Sequence, residues 1–204
     1  MVGQLRRRLG VHFYTMLVRP PHAAPPACEP SGLRYRVLDE QVLLAHCADP
    51  QLDLKESTLR AALAAGDVCV GALHEGRLAA CVWYSFGGAR HADGVRVEIG
   101  PRVRYTYQLH VRPSERGRGV GRELLARGAQ LGPRRGRTLD LSFVAPDNRP
   151  SLRAFAAAGW RRAGYAGYAK ALGGFVAFAS AGAARVEARF VNSKSGSEPE
   201  FALR

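Results

Sequence analysis

The sequence predicts an α/β (α+β) fold built on a mixed sheet, and three features of its 204 residues predict it. An apolar content of 47% is enough for a chain of this length to bury a core. Segments with strand-like alternation interleave with segments of helical spacing, the order expected when helices cover the faces of a sheet. Between Tyr105 and Leu125 the chain passes from a strand pattern, through a glycine-rich turn, into a helical pattern.

Arg6-Arg7-Arg8, followed by Leu9 to Val18 and a Pro/Ala segment, has the outline of a signal peptide, but His12 and Thr15 interrupt its short apolar part. Val11 to Val18 reads as an edge strand or a lead-in to one, and Pro20 to Pro30 as a connector without regular structure. Residues 1–31 are therefore expected to form an N-terminal extension, 32–190 the folded domain and 191–204 a polar tail that frays.

Within the domain, Leu33 to Leu38 alternates as a strand should, and Asp39 can cap a helix running through Ala48. A second helix is expected from about Leu54 to Ala65, stopped by Gly66. Val68 to His74 and Leu78 to Phe86 read as two strands joined by a Glu75-Gly76 hairpin turn. Gly87 to Gly94 reads as a loop and Val95 to Ile99 as a strand, broken from the next segment by Gly100-Pro101. After the glycine turn, a helix of roughly Val120 to Leu131 ends at Gly132-Pro133, and Thr138 to Val144 is the next strand. Asp147 or Asn148 caps a helix with Pro150 in its first turn and Gly159 at its end. The Gly/Ala/aromatic segment Trp160 to Phe190 supplies closing strands.

The net charge of +13 admits nucleic acid, an anionic membrane or an anionic small ligand as partner. Its distribution is more informative than its size. Arg102, Arg104, Arg112, Arg116, Arg118, Arg122, Arg127, Arg134, Arg135 and Arg137 gather around the glycine turn, where a ligand with several phosphates would be attracted. Arg interleaved with Tyr105, Tyr107 and Trp160 could also serve nucleic acid, but no recognised nucleic-acid motif accompanies them. The four cysteines, Cys28, Cys47, Cys69 and Cys81, make no C-x-x-C pair and no metal-ligand spacing with histidines, so no metal is expected and a reducing, cytoplasmic setting is. No apolar run reaches the length of a membrane span.

A strand, a glycine turn and a helix start form an anion site, because glycine lets the backbone approach and the first helical amides lack partners. The run lacks the third glycine of a dinucleotide fingerprint, and no Gly-Lys-Ser/Thr follows as a P-loop requires. Arg116-x-x-Gly119-x-Gly121 instead resembles the R/Q-x-x-G-x-G/A motif of the GCN5-related N-acetyltransferases (GNAT). Asn148 to Trp160 resembles the later motif of that family, N-x-x-S/A-x-x-x-Y-x-x-x-G-F, matching at Asn148, Ser151 and Gly159 with Trp160 for the usual Phe.

The resemblance covers about Leu33 to Tyr168 and implies a mostly antiparallel mixed sheet with helices on both faces. It implies acetyl-CoA as donor substrate and direct attack by a primary amine, of a small molecule or a protein, in a ternary complex. The protein must then orient the thioester, polarise its carbonyl and remove a proton. Leu109, His110 and Val111 would run beside the pantetheine arm. Arg116, Gly117, Arg118, Gly119, Val120, Gly121 and Arg122 would hold the pyrophosphate, and Asn148, Ser151 and Phe155 would adjoin the cofactor. His110 and Glu98 are the candidate bases. Phe155 replaces the tyrosine that protonates the thiolate in many members, leaving Tyr165 and Tyr168 as substitute acids; of these Tyr168 is carried as the catalytic candidate. Trp83, Tyr84, Phe86, His91 and Asp93 could line an acceptor pocket. A homodimer is admissible. The alternative reading is a module that binds CoA or nucleic acid without turnover.

Overall fold

The computed structural model describes residues 10–20, 32–52, 54–92, 94–131, 134–171 and 174–193. The Arg6 to Arg8 run, the Pro/Ala connector, Cys28, Asp93, the Gly132-Pro133 turn and the tail beyond Ser193 lie outside the described residues. In chain order the elements are β1 (Val11–Arg19), β2 (Leu33–Leu38), α1 (Glu40–Ala45), α2 (Glu56–Ala64), β3 (Val68–His74), β4 (Arg77–Ser85), β5 (Ala89–Ala92), β6 (Val95–Ile99), β7 (Val103–Val111), α3 (Val120–Leu131), β8 (Leu139–Val144), α4 (Arg149–Ala157), β9 (Arg161–Ala171), β10 (Gly174–Ala179), α5 (Ala181–Ala184) and β11 (Ala188–Asn192). The main sheet runs β10-β9-β1-β8-β7-β4-β3-β2, and a second sheet runs β11-β6-β5. Every pairing is antiparallel except β7 with β8.

Local chemistry accounts for several boundaries. The Asp39 side chain accepts from the Val42 amide at 2.8 Å and so caps α1. Glu75 and Gly76 both take positive φ, 48° and 81°, the geometry that matches the twist of a two-residue hairpin between β3 and β4. Asn148 caps α4 by accepting from the Ser151 amide, with Pro150 in the first turn.

Both faces of the main sheet are covered. On β4, Ala80, Val82 and Tyr84 join a core with Val120, Leu124 and Leu125 of α3 and Phe155 of α4. The intervening Cys81 and Trp83 join another with Leu43 of α1, Leu59 of α2 and Leu52 of the connection between those helices. A third cluster seats the small sheet, through Val95, Val97, Ile99 and Phe190, on Met16, Tyr105, Leu141 and Phe143. A strand covered twice reads as a continuous apolar run, as Leu78 to Tyr84 does.

Three parts of the sequence reading are corrected. Val11–Arg19 is no edge strand: it lies between β9 and β8, paired with β9 from Val11 to Val18 and with β8 from Thr15 to Arg19, and Met16 and Arg19 are fully buried. Those partners come from far along the chain, and local pattern does not report them. Ala89–Ala92, expected as loop, is a short strand paired with β6. The tail boundary at 191 is also displaced, because Val191 and Asn192 pair with Arg96 and Val95.

Beneath α3 and α4, three neighbouring strands place Arg19, Asp140 and Arg104 side by side in register. Arg104 grips the Asp140 carboxylate with Nε at 2.7 Å and Nη2 at 3.0 Å. Arg19 adds Nη2 at 3.2 Å and donates from Nη1 to the Ala158 carbonyl. All three side chains are essentially inaccessible. Without the central carboxylate, two guanidiniums would sit uncompensated in the core.

Candidate functional site

One register step beyond that ion cluster the main sheet parts. The β7–β8 pairing consists of Val103, Arg104 and Tyr105 against Leu139, Asp140 and Leu141, and goes no further. β7 then continues to Val111 on β4, while β8 continues on β1. Among the described residues, the β8-facing edge of Tyr107 to Val111 therefore has no strand partner. A bulge lies within this reach. Trp83 opposes Tyr107 and Cys81 opposes His110, leaving one extra residue in β7, and Gln108 takes φ 49°. Because side chains alternate, the insertion turns Leu109 and Val111 toward α3 and α4, whereas Tyr107 stays against Trp83 on the other face.

The turn after β7 closes the wide end of the gap. Arg112, nearly buried, donates to the Leu78 carbonyl and to Asp49 at 2.6 Å, anchoring the strand end and holding the Asp49 carboxyl below its usual pKa. Arg116 reaches back from Nε to the Val111 carbonyl at 3.0 Å. Gly117 and Gly119 take φ of 77° and 80°, where a side chain is strained. The first helical bond of α3 runs from the Glu123 amide to the Gly119 carbonyl, so the amides of Val120, Gly121 and Arg122 have no intrahelical acceptor. Gly121 lets the helix approach the strand: a Cβ there would lie 3.3 Å from Val111 Cγ2.

These amides open on a cleft of about 820 Å³ between the free edge of β7, the glycine turn and the first turns of α4. Leu109, His110, Val111, Arg116, Gly117, Gly119, Val120, Gly121, Arg122, Asn148 and Ser151 all line it. Arg153 lines it too, a cation that the sequence did not single out. Two expected residues do not. Arg118 turns to Glu115 at 2.7 Å, and Phe155 is buried edge-on to Trp160, because α4 presents Ser151 and Ala154 to the cleft and Phe155 to the core.

The candidate acid and bases fare differently. Tyr168 lies in the core under the small sheet, stacked on His12 at 4.5 Å, and burial drives its hydroxyl pKa upward; it lines neither cleft described here. Tyr165 packs on Phe13 and Arg162. Glu98 belongs to the second sheet, where it accepts from Arg189 at 3.0 Å, because Gly100-Pro101 separates β6 from β7. His110 lines the large cleft, but its Nε2 is 2.6 Å from the Gln51 carbonyl; donation there leaves Nδ1 as the ring's basic nitrogen.

A second cleft, of about 440 Å³, adjoins the first at the bulge: Gln108 lines the smaller and Leu109 the larger. Trp83 and His91 line it as expected. Tyr84 and Phe86 do not; they sit in the core on the opposite face. Asp67 was missed. It follows the Gly66 stop of α2 and reads as a turn residue, yet it is 6% exposed and accepts from the Tyr107 hydroxyl at 2.7 Å. Burial raises its pKa, opposed by Tyr107 and Ser85. Among the described residues no group of His, Cys, Asp and Glu is placed to hold a metal ion, and no helix is long and apolar enough to cross a membrane.

A mixed sheet that parts at a parallel pair, with a glycine turn and helix N-terminus across the gap, is the architecture of GCN5-related acetyltransferases. The chain belongs to that family: the model of the acetyltransferase (GNAT) family matches residues 36–160. Among solved structures, a GCN5-related N-acetyltransferase from Sphaerobacter thermophilus is 15% identical, with a TM-score of 0.53 over 97% of this chain and 58% of its own. A tandem GNAT protein from the clavulanic acid biosynthesis pathway is 16% identical, with a TM-score of 0.53 over 97% and 59%. A GCN5-related N-acetyltransferase from Kribbella flavida is 14% identical, at 0.50 over 96% and 64%. At such identities the likeness is one of fold, and the chain spans about three-fifths of each of these structures. No curated protein matches the sequence.

Members of the family draw on acetyl-CoA, and the residues present suit it. Three amides without helical acceptors, two glycines in the left-handed region and the Arg116, Arg122 and Arg153 side chains lining the cleft match a pyrophosphate.

Proposed function

We propose that the protein transfers an acetyl group from acetyl-CoA to a primary amine, both substrates being bound together. One observation carries the reading: the orphaned amides of α3 face a cleft continuous with the unpaired edge of β7. The donor supplies a thioester-activated acyl carbon; the amine nitrogen bonds to it as the C–S bond breaks, and the proton lost by nitrogen balances the one gained by sulfur.

The chain's own tasks follow from its geometry. Val120, Gly121 and Arg122 amides hold the pyrophosphate, aided by the positive end of α3. The β8-facing edge of Leu109 to Val111 orients the arm as a strand would, and an amide on that edge polarises the acyl oxygen. Asn148 spends its side-chain oxygen on the α4 cap, which leaves its NH2 to donate into the cleft. A cytoplasmic setting belongs to the proposal, supported by free thiols at Cys47, Cys69 and Cys81.

Thermal shift with acetyl-CoA and CoA tests donor binding, since a ligand of the native state raises the melting temperature. Thiol release with a panel of amines then tests transfer. No stabilisation by either thioester or thiol refutes the donor assignment; stabilisation with no release from any amine leaves a CoA-binding module instead.

A further inference from the structure

An amine that attacks a thioester must lose a proton from nitrogen, and the protein must give that proton a route. The residues chosen for this task by type do not stand where the amine would enter. Glu98 is held by Arg189 in the second sheet, Tyr168 lies in the core, and His110 is on the wall of the larger cleft, which the donor occupies. The smaller cleft adjoins the larger at Gln108 and Leu109, and its wall carries a pair of side chains brought together only by the fold, Tyr107 and Asp67.

Three strands build the pair. Asp67 stands immediately before β3, Ser85 ends β4, and Tyr107 lies on β7 opposite Trp83. The Tyr107 hydroxyl donates to Asp67 Oδ2 at 2.7 Å, and the Ser85 hydroxyl is a second partner of the same carboxylate. Both bonds favour the charged form, as do the more distant Arg96 and Arg135, yet burial outweighs them and raises the carboxyl pKa. Asp67 is thus a stronger proton acceptor than a solvated carboxylate, and it is already bonded to a hydroxyl on the cleft wall.

A phenol has one proton to donate. That of Tyr107 is committed to Asp67, so toward the cleft its oxygen can act only as an acceptor, and an amine N–H is a group it can receive. Burial and the neighbouring carboxylate push the Tyr107 pKa upward, so the hydroxyl is no phenolate base; it can take one proton only as it passes its own along.

We infer that Tyr107 and Asp67 form the proton relay of the transfer, Tyr107 being the catalytic residue that meets the amine and Asp67 the residue that positions the hydroxyl and receives its proton. This rests on the acyl-transfer reading. As nitrogen bonds to the acyl carbon and the C–S bond breaks, one N–H proton passes to the Tyr107 oxygen and the phenolic proton passes to Asp67 Oδ2. The carboxylic acid then returns a proton to water, and the departing thiolate takes one from water. The bulge sets the distance: the relay stands two residues before Leu109, on the side of the strand from which the amine arrives.

The test is thiol release from acetyl-CoA, run with the fastest acceptor among α-amino acids, spermidine, an aminoglycoside and a lysine-containing peptide. Tyr107→Phe, Asp67→Asn and the double variant are compared with the parent. Each single change should lower kcat about 10²- to 10⁴-fold, while KM for acetyl-CoA and the acetyl-CoA thermal shift stay at the parent's values. The double variant should be no slower than the slower single one, because the two groups act as a unit. Tyr107→Phe keeps the ring against Trp83, so it decides the matter alone should Asp67→Asn fail to fold. A kcat for Tyr107→Phe within about threefold of the parent overturns the inference, as does a double variant whose losses multiply. If acetyl-CoA stabilises the protein but no amine releases thiol, the acyl-transfer reading falls and the relay with it; if thiol is released and Tyr107→Phe is unimpaired, the relay falls alone.

Discussion

Asp140→Asn is the most revealing single change in the framework of the site, since it keeps the shape of the side chain and removes only the charge between two buried guanidiniums. In the parent, the carboxylate receives three bonds of 2.7 to 3.2 Å from Arg104 and Arg19, with side-chain exposures of 0%, 1% and 0% along the row. An asparagine there can accept through one oxygen but presents an NH2 to the other donors. Breaking a buried pair of this kind costs about 3–5 kcal/mol. For a domain near this size each kcal/mol moves Tm by about 2–4 °C, so the expected fall is roughly 6–20 °C. Melting followed by circular dichroism reads it. The exposed Glu40–Arg60 pair is the control, its side chains being 49% and 53% accessible, and Glu40→Gln should cost at most about 1 kcal/mol. Replacing the row together, Arg19→Met, Asp140→Leu and Arg104→Met, should recover most of the loss. A Tm for Asp140→Asn within about 2 °C of the parent would refute the argument that one carboxylate balances two buried cations.

Gly119→Glu should abolish the CoA thermal shift, because its carboxylate stands at the phosphate-facing amides; Gly119→Asn, which tolerates positive φ, should retain it. Equal shifts in both would move the pyrophosphate elsewhere. Phe155→Tyr restores the residue usual in the family motif but puts a hydroxyl into the core, so it should cost about 1–3 kcal/mol and leave kcat unimproved. A faster Phe155→Tyr enzyme would show that the hydroxyl reaches the cleft. His91 is held neutral, its pKa lowered from 6.5 to about 4 by burial and by His12. Below pH 6.5 the unfolded chain takes up a proton that the folded chain refuses. Stability should therefore fall as pH drops from 6.5 toward 4, by up to roughly 3 kcal/mol. Denaturant titrations at a series of pH values check this, and His91→Phe should flatten the slope.

Much of the larger cleft was legible because its lining is local. Arg116 to Gly121 and Asn148 to Gly159 each carry their chemistry within one turn, cap or helix start, and short-range spacing records it. The smaller cleft was not, because it is assembled from distant segments. Asp67 becomes notable only when β7 brings the Tyr107 hydroxyl to it from 40 residues away. The same limit misplaced Val11–Arg19, whose central position depends on β8 and β9. Glu98 and Tyr168 were chosen by residue type on strands near the motif in sequence, and the fold assigned those strands to the small sheet and to the far side of β1.

The bulge at Gln108 explains how one strand lines two clefts on opposite faces of the sheet. In a regular strand Tyr107, Leu109 and Val111 would share a face, and all three would point to α1, α2 and the smaller cleft. One inserted residue changes the parity, so Leu109 and Val111 pack under α3 and α4 while Tyr107 remains with Trp83 and Asp67. The bulge also interrupts pairing with β4, in the stretch where β8 has already parted from β7. Each departure from regular pairing leaves backbone groups without sheet partners, a cost that a single-sided binding site would not require. Their coincidence over Tyr107 to Leu109 places polar backbone and the walls of both clefts within consecutive residues. That convergence, more than any one titratable side chain, is the argument for transfer within a ternary complex.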